Sequence, residues 1–65
     1  MNEDFLYQYL YIVGPSTHED LQKKLDCGYY ALDSLLRSLC KKQKVHHEEL
    51  FRKKGYKNQH LFWVI

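Results

Sequence analysis

The sequence predicts a small α+β domain, mainly α, in which three helices are followed by a C-terminal β-hairpin, and three features carry that expectation. Gly14-Pro15 is a breaker between two helical patterns. Leu32, Leu35, Leu36 and Leu39 recur at helical spacing. The terminal Leu61-Phe62-Trp63-Val64-Ile65 has the aromatic and β-branched residues of a strand. A chain of 65 residues holds one domain, because a second core cannot be built from so little apolar surface. Such a core supplies roughly 3–5 kcal/mol without disulfides, metal or a partner subunit, so self-association is a reasonable expectation.

The first helix is expected over about residues 2–13. Asn2 can cap it, Glu3 and Asp4 suit the positive end of its dipole, and Phe5, Leu6, Tyr9, Leu10 and Val13 form an apolar stripe assigned to the core. Tyr7 and Tyr11 lie one turn apart on the other side, with Ile12 at the edge, and are expected as a homodimer contact. Gly14-Pro15 ends this helix.

A second helix follows over about residues 18–26, with Thr17 as N-cap and Asp20 three residues on; Ser16 with Glu19 offers the same device one residue earlier. Leu21 and Leu25 are its buried side. Asp26-Cys27-Gly28 closes it, with Gly28 placed to accept a positive φ and Cys27 expected as a small buried plug. The third helix is expected over about residues 29–43, burying Leu32, Leu35, Leu36 and Leu39 and presenting Tyr30, Ser34, Arg37 and Lys41 outward. The hairpin is expected over about residues 45–65, with Val45 entering the core and the turn at Lys53–Asn58. His46–Lys54 reads as a strand or a short helix: Glu48 and Glu49 suit a helix start, whereas an unpaired terminal strand calls for a partner strand here.

The net charge of +2 names no partner, but its distribution is informative. Up to Leu36, the acidic residues Glu3, Asp4, Glu19, Asp20, Asp26 and Asp33 face only Lys23 and Lys24. From Arg37 onward, Arg37, Lys41, Lys42, Lys44, Arg52, Lys53, Lys54 and Lys57 stand against Glu48 and Glu49. One electropositive end is the footprint of a nucleic-acid binder. An acidic start, two cysteines and the absence of a long apolar run lead to the expectation of a cytoplasmic protein with reduced thiols and no membrane association.

With helix, helix, turn, helix and basic hairpin in this order, the chain resembles the winged helix-turn-helix family. The resemblance rests on Gly14-Pro15-x-Thr17-x-x-Asp20-Leu21-x-x-x-Leu25, the turn at Cys27-Gly28, then Leu32, Leu36, Leu39 and Val45. It covers nearly the whole sequence. The resemblance implies that the third helix enters the DNA major groove through Tyr29, Tyr30, Ser34, Arg37 and Lys41. It also implies that the wing contacts phosphate through Arg52, Lys53, Lys54, Tyr56 and Lys57. The family's usual Gly-Leu-Val entry to the wing is here Gln43-Lys44-Val45, without the glycine, and Val45 to Gly55 is longer than a minimal first wing strand.

No enzyme is expected: Asp26 and Asp33 make no acid–base pair, and there is no glycine-rich phosphate loop. No cofactor is expected either. Cys27, Cys40, His46, His47 and His60 contain no Cys-x-x-Cys or His-x-x-x-His spacing, and adjacent His46 and His47 point to opposite sides of a strand, so no metal is assigned. The expected function is sequence-specific binding of double-stranded DNA by a small transcriptional regulator of a bacterium, phage or other mobile element. Arg37 is the best candidate for a guanine contact, and Asp33 either accepts from a cytosine amine or orients a basic neighbour. The alternative is the same fold as a protein-interaction module, an inhibitor or assembly adaptor, because Tyr and Arg are also enriched at protein-binding hot spots.

Overall fold

Asn2 opens the first helix by accepting the Phe5 N–H on its side-chain oxygen at 2.8 Å, which satisfies one of the free amides of the first turn. The computed structural model describes residues 1–52 and 54–65. It has α1 at Glu3–Val13, β1 at Ser16–Thr17, α2 at His18–Leu25, α3 at Tyr29–Lys41, β2 at Val45–Leu50 and β3 at Gln59–Val64. The strands form one antiparallel sheet in the order β1-β3-β2. Val45 lies opposite Val64, His47 opposite Phe62 and Leu50 opposite Gln59, while Ser16 on the other edge lies opposite Phe62. The chain is thus an α+β domain of three helices and a three-stranded sheet.

The stretch after Val45 that read as strand or helix is a strand to Leu50, because pairing with β3 satisfies the backbone of both. The two-residue strand β1 was not expected. Extended backbone at the N-cap Thr17 and its neighbour after Pro15 lets Ser16 and Thr17 cover the free edge of β3. Thr17, not Ser16, is the N-cap of α2, accepting the Asp20 N–H at 3.1 Å. At the other end of α2 the expectation is corrected. The left-handed residue is Asp26, with φ 48 and ψ 54, whereas Gly28 has φ −69 and serves as the N-cap of α3.

The core consists of Leu6, Leu10, Leu21, Leu32, Leu36, Leu39, Val45 and Phe62, drawn from every helix and both long strands. The expected stripe of α1 is narrower than its spacing suggested. Leu6 and Leu10 are buried, but Phe5 is 54% exposed, Val13 47% exposed and Tyr9 half-buried. Tyr7, expected on the outer side, is half-buried against the core with the Lys44 ammonium 5.7 Å from its ring centre, while Tyr11 is exposed. The expected Tyr7–Tyr11 pair is therefore divided between the core margin and solvent.

Helix α3 ends at Lys41, two residues before the expected boundary. Gln43 has φ 61; its N–H donates to the Cys40 carbonyl and the Lys44 N–H to the Leu39 carbonyl, both at 3.0 Å. This is the Schellman arrangement, in which the left-handed position is usually glycine. It turns the chain from α3 directly into β2.

Candidate nucleic-acid interface

The outward side of α3 follows from its inward side. Burying Leu32, Leu36 and Leu39 leaves Tyr30, Ser34, Arg37 and Lys41, four, seven and eleven residues on from Tyr30, on the opposite side, and all four are exposed. Tyr30 is open over 84% of its surface. Tyr29, the first residue of the helix, turns toward the core margin, its ring centre 4.4 Å from that of His18 and 5.4 Å from Tyr30 edge-on.

Arg37 does not stand alone. Its Nε donates to Asp33 Oδ2 at 2.7 Å, one helical turn away, and this partner raises the guanidinium pKa further. Of the two roles open to Asp33, the one observed is orientation of a basic neighbour. The pair orients the guanidinium through its Nε and leaves its terminal nitrogens free to donate. Lys42, which the charge distribution grouped with the phosphate contacts, is committed elsewhere. Its ammonium lies 2.8 Å from Glu3 Oε1, tying the end of α3 to the start of α1, and hydrogen bonding from Lys42 lowers the Glu3 pKa.

The hairpin connection carries the other expected contacts. The Arg52 N–H donates to Asn58 Oδ1 at 3.3 Å, closing the loop, and the Arg52 guanidinium sits 5.9 Å from the Tyr56 ring centre. Gly55 takes φ 96, which suits it to the turn. Lys54, Tyr56 and Lys57 are exposed. Lys53, also expected in this group, lies outside the described residues. Among the described residues, Lys41, Arg52, Lys54 and Lys57 are in no ion pair within 4 Å. Arg52 and Lys57 border a groove of about 450 Å³ shared with Glu19, Gln22 and Gln59, so the base of the hairpin faces α2. Gln59 Nε2 donates to Glu19 at 3.3 Å, the largest of the contacts that lower the Glu19 pKa.

Between α3 and the sheet runs a cleft of about 370 Å³ that sequence patterning did not foresee, lined by His18, Tyr29, Asp33, Arg37, His47, His60 and Phe62 among others. His18, at the first position of α2, is its buried wall, 8% exposed between Tyr29 and Phe62, with Nε2 3.7 Å from Asp33 Oδ1. Desolvation lowers its pKa, and the Asp33 charge opposes that shift. A signal for it was present: His18 precedes Leu21 by three residues and Leu25 by seven, which places it on the buried side of α2. Burial also raises the Cys40 thiol pKa at the cleft margin. No three metal-ligating side chains converge among the described residues, and no helix there is long and apolar enough to cross a membrane.

Comparison with family models, with curated proteins and with solved structures finds no match.

Proposed function

We propose that this chain is a winged-helix domain that binds double-stranded DNA, with α3 in the major groove and the β2–β3 hairpin as the wing. The observation that carries the proposal is the outward side of α3, where Tyr30, Ser34 and Lys41 are open to solvent around an Arg37 guanidinium held in place by Asp33. A guanidinium so oriented is suited to a bidentate contact with guanine O6 and N7, worth about 1–3 kcal/mol of discrimination. Lys41 at the end of α3, with Lys54 and Lys57 on the hairpin, supplies phosphate contacts that set orientation and most of the affinity. The domain acts by binding, as a transcriptional regulator, and performs no catalysis.

Arg37→Ala should weaken binding to the specific site by about 10–100-fold and leave affinity for random duplex nearly unchanged. Lys54→Ala should weaken both about equally and make the salt dependence shallower. Fluorescence anisotropy with a selected site and a random duplex measures the four affinities. Equal losses on both duplexes for both variants would contradict the assigned roles.

A protein-interaction role is favoured by a different observation. Tyr30, Phe51 and Tyr56 are 84%, 82% and 68% exposed, and a rim of open aromatic rings suits a protein surface as well as a nucleic acid. Absence of any duplex binding at low salt would turn the assignment to that role.

A further inference from the structure

We infer that the cleft between α3 and the sheet is a binding site for a small, uncharged heteroaromatic molecule that carries an amino group beside a ring nitrogen. The inference does not rest on DNA binding. Its starting point is His18, which is buried, yet its Nε2 has no hydrogen-bond partner among the described residues. Asp33 Oδ1 stands 3.7 Å away, beyond hydrogen-bond reach, and is itself in no hydrogen bond among the described residues; the Arg37 Nε–H is received by the other oxygen, Oδ2. A buried polar atom without a partner is rare in folded proteins, and both residues line the cleft, through which a partner can enter.

The two open atoms define the polar edge of the ligand. Asp33 is ionised beside Arg37, and a carboxylate only accepts, so the ligand donates to Oδ1. Nε2 donates in one neutral tautomer of His18 and accepts in the other. An amino group next to a ring nitrogen meets both cases: one amino hydrogen goes to Oδ1, and Nε2 either donates to the ring nitrogen or accepts the second amino hydrogen.

The walls define the body of the ligand. Tyr29 and Phe62, their ring centres 4.4 Å and 6.1 Å from that of His18, border the same space, with Leu36 and Cys40 also in the lining. A flat ring therefore meets aromatic and aliphatic surface. Water can pair with the same two atoms but gains nothing from these walls. Arg37 balances the charge of Asp33, and burial favours the neutral form of His18, so a ligand meeting these groups needs no charge. The volume of about 370 Å³ lies at the small end of the range for ligand pockets, which suits about one or two rings.

Titration of 2-aminopyrimidine, a single-ring member of this class, followed by amide NMR of the whole chain tests the inference. The amides of His18, Tyr29, Asp33 and Phe62 should shift saturably, with a dissociation constant of about 1–10 mM, in keeping with so small a ligand. 2-Methylpyrimidine has nearly the same shape without the donors and should bind at least about 5-fold more weakly. His18→Phe keeps a ring between Tyr29 and Phe62 but removes Nε2, and Asp33→Ala removes the acceptor; each should weaken 2-aminopyrimidine at least about 5-fold, with circular dichroism confirming the fold. If His18→Phe does not fold, Asp33→Ala decides alone. Absence of saturable shifts up to about 20 mM, shifts centred outside the cleft, equal binding of the two pyrimidines, or wild-type affinity in either folded variant overturns the inference.

Discussion

Replacing Gln43 with glycine should make the protein more stable, although the change removes a side chain and adds nothing. Gln43 occupies the left-handed position of the Schellman turn between α3 and β2, with φ 61. A residue with a Cβ incurs roughly 1–2 kcal/mol in that conformation. Glycine avoids this strain but loses about 0.5–1 kcal/mol through its greater freedom in the unfolded chain. The Gln43 side chain is exposed and makes no hydrogen bond among the described residues, so little packing is lost. The net gain is about 0.5–1 kcal/mol, which in a domain this small raises the melting temperature by roughly 2–8 °C. Thermal denaturation followed by circular dichroism reads the shift, with Gln43→Ala as the control that shortens the side chain but keeps the Cβ. A Gln43→Gly variant no more stable than wild type, or a Gln43→Ala variant with the same gain, would refute backbone strain as the cause.

The converse holds at Gly14, whose φ of 83 and ψ of −165 lie in a region that only glycine occupies freely. No atom stands within 4 Å of a Cβ built there, so the cost to Gly14→Ala, about 1–3 kcal/mol in urea unfolding, comes from backbone conformation alone; a neutral substitution would contradict it. Acid should destabilise the fold in two stages. Desolvation sets the folded-state His18 pKa below its ordinary value of 6.5, so the unfolded chain takes up that proton first. The corresponding stability is complete above about pH 6.5 and drains away as pH falls through the folded-state value. Glu3 and Glu19, lowered from 4.5 by their hydrogen bonds, contribute stability that is lost only at more acid pH. Melting temperature should therefore fall between pH 7 and 5 in wild type and stay flatter in His18→Gln; parallel curves over that window would remove His18 as the cause.

The elements of the fold were readable where local chemistry and packing agree. Asn2 and Thr17 announce helix starts because their side chains do the capping, and Leu32, Leu36 and Leu39 announce a buried face because three residues one turn apart have a single use. Sequence and structure part where the decision belongs to distant parts of the chain. Phe5 and Val13 have the spacing of core residues, yet they are 54% and 47% exposed, because whether such a position is covered depends on where the sheet and the other helices reach. Gly28 looked like the left-handed residue on intrinsic preference, but the geometry of α2 required that conformation two residues earlier, at Asp26. Strand β1 is too short for any periodicity and exists only through pairing with β3.

The candidate site was legible to a similar extent. The outward residues of α3 followed from its leucines. The commitments of the charges did not, because Arg37 with Asp33 and Lys42 with Glu3 depend on which side chains meet. His18, one histidine on an otherwise polar helix, carries no pattern beyond its spacing from Leu21 and Leu25.

The proposed grip of α3 and the hairpin on duplex DNA is tested most directly by the salt dependence of affinity for a random duplex. Among the described residues of α3 and the hairpin, Lys41, Arg52, Lys54 and Lys57 are in no ion pair and are the cations available for phosphate. Release of counterions from about three to four contacts predicts a slope of roughly −2.7 to −3.6 in a plot of log affinity against log salt. Binding should be micromolar or tighter at low salt, weakening along that slope. No measurable binding at low salt, or affinity that does not change with salt, would contradict the proposal.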